Sequence, residues 1–210
     1  MISIMTKPVV LTEALLLGRG GHKDVYADPE NFTRCIKIIR NENDSDWKRE
    51  LRYRRSRMRR GLTSHLLPAY YGPMETTLGR GYVFERIFDF DGSQSRDFDS
   101  VLAEAKMRYS VGELRQKLEK GLLEFHEIMR DEEIILSNVE TENFLIQRTA
   151  PNIFRIRIVD NIGSPVAIPL MFYISCFARF HIERYWRRFI DLLHDSYPDL
   201  ITEDMKGRLL

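Results

Sequence analysis

LLLGRGGHKDVYADPENFTRCIKII, Leu15 to Ile39, sets a glycine cluster between two runs of strand-forming residues and closes on a lysine held between isoleucines. Alternation along Thr33 to Ile39 puts Cys35, Lys37 and Ile39 on one face of a strand and Ile36 and Ile38 on the other. Both faces are apolar around Lys37, so its ammonium must either snorkel to an edge or meet an anion. Gly18 and Gly20, with Gly21 beside them, allow a tight turn and let backbone approach a ligand with no side chain in the way. A glycine-rich hairpin turn explains them equally well. What carries the phosphate-loop reading forward is Lys37, one strand and one turn downstream.

The first ninety or so residues read as strand-rich, through ALLLGRG, KDVYAD, RCIKIIR and GYVFERIFDF, with Gly, Pro, Asn and Asp between the runs. One helix interrupts them. Asp44 or Ser45 can cap DWKRELRYRRSRMRR, and Gly61 offers its stop. At 100° per residue Trp47, Glu50, Leu51, Arg54 and Met58 share a stripe, which turns Glu50 toward the core. A core-facing carboxylate needs a cation: Lys37 is one candidate, and Arg54, four residues along the helix and near the surface, is the other. DFDG, Asp89 to Gly92, reads as a polar connector rather than a metal site. Beyond it SVLAEAKMRYS and VGELRQKLEKGLLEFHEIMR carry helical spacing, NFLIQR and FRIRIVD form a hairpin around TAPN, and a last helix runs from about Pro169 to Leu193. The expectation is an α+β protein: a small antiparallel β lobe with one helix, a connector, and a mostly helical lobe.

With 32 basic and 31 acidic residues among 210, the net charge of +1 argues against nucleic acid as a partner. Cys35 and Cys176 lie far apart without zinc or disulfide spacing, which suits a reducing cytoplasm. MISIMTKPVV lacks the parts of a secretory signal, and SPVAIPLMFYISCFARF is broken by Pro169, Ser175 and Arg179 before it could span a bilayer, so a soluble protein is expected. The Arg-rich helix from Lys48 to Arg60 reads as a solvated face or as a docking surface for an acidic protein or other anionic partner. Arg179, Arg184, Arg187 and Arg188 alternate with Phe180, Tyr185, Trp186 and Phe189, as rim and core. The five histidines show no ligand spacing, and His126 on an apolar helical face reads as a core residue.

This chain order resembles the protein kinase fold. LSNVETENFLI is similar to the pattern H-R-D-L-x-x-x-N followed by a strand, and RIVDNIG fills the place of the strand ending in D-F-G. The resemblance implies that Gly18 and Gly20 are loop glycines, Val25 the valine after the loop, Lys37 the phosphate lysine and Glu50 its partner. YVFE, Tyr82 to Glu85, stands where kinases bind adenine through backbone; Asn143 and Asp160 match the metal-holding pair, with Gly163 one position late. RCIKI, REL, GYVFERIFDFDG, VDNIGSPVAIPL and RYWRRFI together look like the bacterial YrbL-type PhoP regulatory network proteins, a kinase-like family, over Leu17 to about Ile190. That implies a compact bilobal kinase-like fold across residues 1–210, with an N-lobe at about 8–88, a connector at about 89–97 and a reduced C-lobe at about 98–210. It also implies ATP and Mg as cofactors and a link to the magnesium-responsive PhoP regulon.

The departures bear on chemistry. Lys23 stands at the third loop glycine. Leu136, Ser137 and Asn138 replace H-R-D, which removes the carboxylate that accepts a substrate proton; an asparagine orients a hydroxyl but takes no proton. Glu140 replaces the usual lysine beside the transferred phosphoryl group, and Glu140 or Glu142 is the candidate substitute base. Three readings follow: an atypical phosphotransferase, a pseudokinase using the nucleotide as a regulatory switch, and transfer of the AMP portion of ATP to a protein.

Overall fold

The computed structural model describes residues 7–41, 44–164 and 174–210; the opening MISIMT and the expected helical start from Pro169 to Tyr173 lie outside them. The chain divides into two compact units, Met1–Lys48 with Pro68–Ile87 and Arg49–Leu67 with Phe88–Leu210. Together they form a mixed α+β protein with antiparallel sheets and five helices among the described residues.

In the first unit β1 (Leu16–Arg19), β2 (Lys23–Ala27), β3 (Arg34–Ile39), β4 (Tyr70–Thr76) and β5 (Gly79–Glu85) form one sheet in the order β1-β2-β3-β5-β4. The alternation expected along β3 is present. Ile36 and Ile38 pack with Val9, Leu11, Tyr26 and Val83 in a small core. On the opposite face Trp47 lies against Tyr82 at 4.4 Å between ring centroids and against Phe84 at 6.4 Å. The sequence reading missed β4. Gly72 and Pro73 discourage a strand, yet β4 is an edge of the sheet, where a proline removes no needed donor, and Gly72 at φ 116° absorbs a register shift after Tyr70.

Helix α1 (Ser45–Arg59) begins as expected: the Asp44 carboxylate accepts from the Asp46 N–H at 2.8 Å, and Gly61 follows the helix at φ 65°. Its buried stripe differs from the expected one. Trp47, Glu50, Tyr53, Arg54 and Arg57 are buried, while Met58 is 57% exposed. Hydropathy misplaced the stripe because Arg57 enters the interior through its hydrogen bonds, to the Glu132 carbonyl at 2.7 Å and the Thr63 carbonyl at 2.8 Å. The basic residues left exposed on this helix are Lys48, Arg52, Arg55 and Arg59.

The second unit holds α2 (Phe98–Arg108), α3 (Val111–Asp131), α4 (Ser175–Ser196) and α5 (Glu203–Leu209), with the sheet β6 (Arg96–Asp97), β7 (Phe144–Ala150) and β8 (Ile153–Ile158) in that order. Ser110 and Glu113 build a capping box that starts α3. The core centres on Phe125, Phe144, Trp186 and Phe189, in edge and tilted ring contacts. Tyr185, Trp186 and Phe189 are core as expected, and the four arginines form an exposed rim; Phe180 is the exception, at 71% exposed, because it falls off the stripe through Ala178, Ile182 and Phe189. Helix α5 was not anticipated. Thr202 caps it, and the Trp186 indole donates to the Leu209 carbonyl at 2.7 Å, fastening it to α4. No helix of the described residues is long and apolar enough to cross a membrane.

Gly81 shows how tightly the first sheet is packed. A Cβ there would lie 2.5 Å from Ile36 Cγ2, with Thr76 and Ile38 methyls at 3.1 and 3.2 Å. Gly81→Ala is expected to destabilise the protein by about 1–3 kcal/mol, the usual cost of overpacking a core. Chemical denaturation of the purified variant measures it, and an unchanged midpoint would contradict the packing.

Candidate functional site

In the first unit the strand pairings set Gly18 opposite Val25, Val25 opposite Lys37 and Lys37 opposite Tyr82. Cross-strand partners point to the same face, so the loop glycine, the valine and the lysine singled out in the sequence form one row across the sheet. Lys37 is only 5% exposed, and its Nζ lies 4.5 Å from the centroid of the Phe84 ring. The π-face of Phe84, two residues beyond Tyr82, is part of what lets a charged group sit on an apolar sheet face.

The glycine loop closes through the Gly20 N–H, which donates to the Lys23 carbonyl at 2.8 Å. Arg40, absent from the sequence reading, holds the loop from outside: it donates to the Gly21 carbonyl at 3.0 Å and to the Asp24 carboxylate at 2.6 Å. A Cβ added at Gly18 meets nothing within 4 Å, and none of these three glycines has a positive φ. Intrachain packing therefore does not demand glycine at position 18. Glu85 is anchored to Ala69 twice, its N–H donating to the carbonyl at 2.9 Å and its carboxylate accepting from the N–H at 3.0 Å.

In the second unit Glu50 accepts from Arg54 Nε at 2.7 Å. This is the local alternative read from helical spacing, but both side chains are buried rather than near the surface. Further along α1, the buried Tyr53 hydroxyl donates to the Glu133 carbonyl at 3.0 Å and accepts from the Ile135 N–H at 3.2 Å. Arg49 donates to Ser137 Oγ at 2.9 Å. The segment Leu136–Asn138 is thus held by α1 on one side. On the other, Ser137 N–H donates to the Asn161 carbonyl at 2.8 Å and Gly163 N–H to the Ile135 carbonyl at 2.8 Å.

Val159 N–H donates to the Asn143 carbonyl at 2.9 Å, which brings the residue before Asp160 against Asn143. Asn143 is buried, and its Nδ2 has no hydrogen-bond partner among the described residues. Asp160 Oδ1 accepts from the Asn161 N–H at 2.8 Å, with Asn161 at φ 56°. Gly163, at φ 106°, is tightly packed: a Cβ would lie 3.2 Å from the Arg49 carbonyl and from Tyr53 Cβ, and its backbone conformation disfavours other residues. Asn138 is exposed and its Oδ1 accepts from the Val139 N–H at 2.8 Å. Glu140 and Glu142 are exposed on the same loop.

Several supporting residues escaped the sequence reading. His181 on α4 bonds the Leu136 carbonyl at 2.8 Å, and the Tyr185 hydroxyl donates to the Ser137 carbonyl at 3.0 Å. Asp99 on α2 accepts from Thr141 Oγ1 at 2.8 Å and from the Tyr197 hydroxyl at 2.5 Å. Burial first, then the Asp99 carboxylate, pushes the Tyr197 phenol up to about 12. Only pairing across the fold reveals such contacts. In the DFDG segment Asp89 and Asp91 both accept from the Arg148 guanidinium at 2.6 Å. Among the described residues no group of three or more His, Cys, Asp or Glu side chains converges on a metal position.

The two units define a mixed α+β protein whose segment Leu136–Asn138 is buttressed by α1 and α4. A family model described as PhoP regulatory network protein YrbL matches residues 9–194, and the chain belongs to that family. It is 32% identical over 183 residues to the YrbL protein of Escherichia coli (strain K12), covering 86% of this chain and 85% of that one. The same figures hold for the YrbL protein of Shigella flexneri.

The loop's support carries a pH dependence. Burial, with Arg184 and Arg188 nearby, pushes the His181 imidazole below its usual range, against the Leu136 carbonyl, which pulls the other way. Burial also lowers His126, which stacks on Trp186 at 4.4 Å. A depressed folded value means that the unfolded chain binds more protons below about pH 6.5, so stability present above that range is lost as pH falls toward the folded value. The melting temperature is expected to drop between about pH 7.5 and pH 5.5. His181→Gln, which keeps a donor for Leu136, should flatten that slope, and an unaltered slope would remove His181 from this role.

Proposed function

We propose that this protein is a kinase-like, Mg-dependent ATP-binding protein, its two units serving as the lobes of a kinase-like fold. The observation that carries the reading is the row Gly18, Val25, Lys37 on one face of the first sheet, together with Asn143 bonded to Val159, the residue between β8 and Asp160, in the second unit. In this reading Gly18 and Gly20 give the phosphates access to loop backbone, Lys37 neutralises their charge, and Tyr82 to Glu85 face the adenine. Asn143 and Asp160 offer the hard oxygen donors that suit Mg2+, which keeps several waters and needs only one or two protein carboxylates when phosphates complete its shell. The unsatisfied atom of Asn143 is the donor Nδ2, which would suit a phosphate oxygen rather than the metal ion. Bound ATP would supply the phosphoryl group and its charge; the chain's own part is positioning and neutralisation.

A second reading, a nucleotide-dependent regulatory module without turnover, is favoured by Asn138. No carboxylate stands at that position, and its amide oxygen is engaged by the neighbouring N–H. Transfer then depends on Glu140 or Glu142 acting as base. The family description extends to this chain, as part of the proposal, a role in the PhoP regulatory network; a magnesium-responsive role and a cytoplasmic location are our own additions to that reading. The exposed row Lys48, Arg52, Arg55 and Arg59 is the surface suited to an anionic partner.

ATP with Mg2+ at about a hundred times its Kd is expected to stabilise the protein by about 2.7 kcal/mol in a thermal-shift titration. Lys37→Met should weaken binding about tenfold or more, and Asp160→Asn should remove the Mg2+ dependence. Gly18→Ala should weaken binding while leaving the ligand-free melting temperature in place, because its methyl group meets nothing. Mass analysis of the nucleotide separates turnover from binding, and Glu140→Gln and Glu142→Gln identify a base if ADP forms. No stabilisation by ATP under any of these conditions would sink both readings.

A further inference from the structure

Helices α2 and α3 and the β7–β8 hairpin line an open cavity of about 90 Å3 that the nucleotide reading does not use. Its walls are apolar, among them Phe98, Leu102, Ala105, Leu118 and Phe154, and Lys117 is the one charged residue that lines it. We propose that this cavity binds an aliphatic carboxylate, with the alkyl chain between the helices and the carboxylate at Lys117.

The first argument is Gly121. It lies in the middle of the 21-residue α3, where glycine weakens a helix relative to alanine. The fold gives no reason for it: its φ is not positive, and an added Cβ would meet nothing within 4 Å. What a larger residue would fill is the cavity that Gly121 lines. Room in this groove is therefore kept at the expense of the helix.

Volume and charge select the ligand. A dry cavity of ~150 Å3 takes benzene, so about 90 Å3 suits an aliphatic group rather than a ring. The Lys117 ammonium rests over the Tyr109 ring at 5.2 Å and has no hydrogen bond or ion pair among the described residues. Lys117 is half-buried at the apolar mouth, with Glu113 one helical turn away as its nearest carboxylate on α3, and its remaining donors suit an anion, which a carboxylate supplies. A peptide main chain would bring amides that these walls cannot satisfy.

The test is calorimetric titration of the full chain with butyrate, hexanoate and octanoate, and with 1-hexanol as the neutral counterpart. Affinity is expected to rise about fourfold per added methylene until the cavity is filled, and hexanoate should bind about tenfold tighter than hexanol. Gly121→Leu should abolish binding. Gly121→Ala, a milder change that keeps the helix, should raise the melting temperature and weaken binding. Lys117→Gln should bring hexanoate down to the affinity of hexanol and leave hexanol unchanged. The proposal is overturned if octanoate gives no binding heat, if the Gly121 variants bind as wild type does, or if hexanol equals hexanoate in wild type. ATP binding has no part in any of these outcomes, so this site and the nucleotide reading stand or fall separately.

Discussion

A single phenol orders the segment on which the candidate site of the second unit depends. Tyr53 is buried, and its hydroxyl is satisfied on both sides by backbone of residues 133–135, just before Leu136, Ser137 and Asn138. Burial drives its pKa up, with Arg57 and the Ile135 N–H opposing, so it serves as a neutral donor and acceptor. A turn with buried backbone must find partners for every N–H and C=O, since each orphan costs about 1–3 kcal/mol. Here α1 supplies several of them from side chains, and residues 161–163 and α4 supply others. Arg57 takes the Glu132 carbonyl, Tyr53 the Glu133 carbonyl and the Ile135 N–H, and Arg49 the Ser137 hydroxyl. The same helix packs against Gly163, where an added Cβ would be tight at 3.2 Å.

This arrangement changes what the arginines of α1 mean. In the sequence they form an undifferentiated basic run, readable as a solvated face or a docking surface. In the fold they split by depth. Arg54 and Arg57 are structural, paired with Glu50 and with carbonyls, and losing a partner of such a buried cation costs far more than the pair's net contribution. The outward row of Lys48, Arg52, Arg55 and Arg59, with Arg60 just after the helix, is the exposed part of that run. The connector obeys the same rule: Asp89 and Asp91 look metal-like in sequence and are consumed by Arg148.

What was legible from residues alone followed from periodicity. The alternation of Arg34–Ile39, the helical spacing of α2 and α3, and the hairpin around Thr149 to Asn152 all appear within a residue or two of where they were expected. Departures arose where a tertiary partner overrode local preference. Edge placement made a strand of β4 despite Gly72 and Pro73, carbonyl partners drew Arg57 inward in place of Met58, and the Trp186 indole secured a helix as short as α5. The candidate site divides the same way. Gly18, Val25 and Lys37 could be aligned from strand register, whereas Arg40, Asp99, His181 and Tyr185 act on groups 16 to 98 positions away in sequence, and no local signal marks them.

The two asparagines of the loop show where the energetic strain of this segment is concentrated. Asn138 is exposed and its amide oxygen is met by the next N–H, an arrangement that costs little and stabilises the turn. Asn143 is buried with an amide nitrogen that no described group accepts, a cost of about 1–3 kcal/mol by the usual measure of an orphaned donor. Packing does not explain that expense, because an apolar residue of similar size would avoid it. The proposed binding role would use this donor, which a ligand oxygen could satisfy. The physical emphasis of the loop therefore lies on Asn143 and its neighbour strand rather than on Asn138. That ordering supports a site organised to hold a charged ligand before it supports one organised to move a proton.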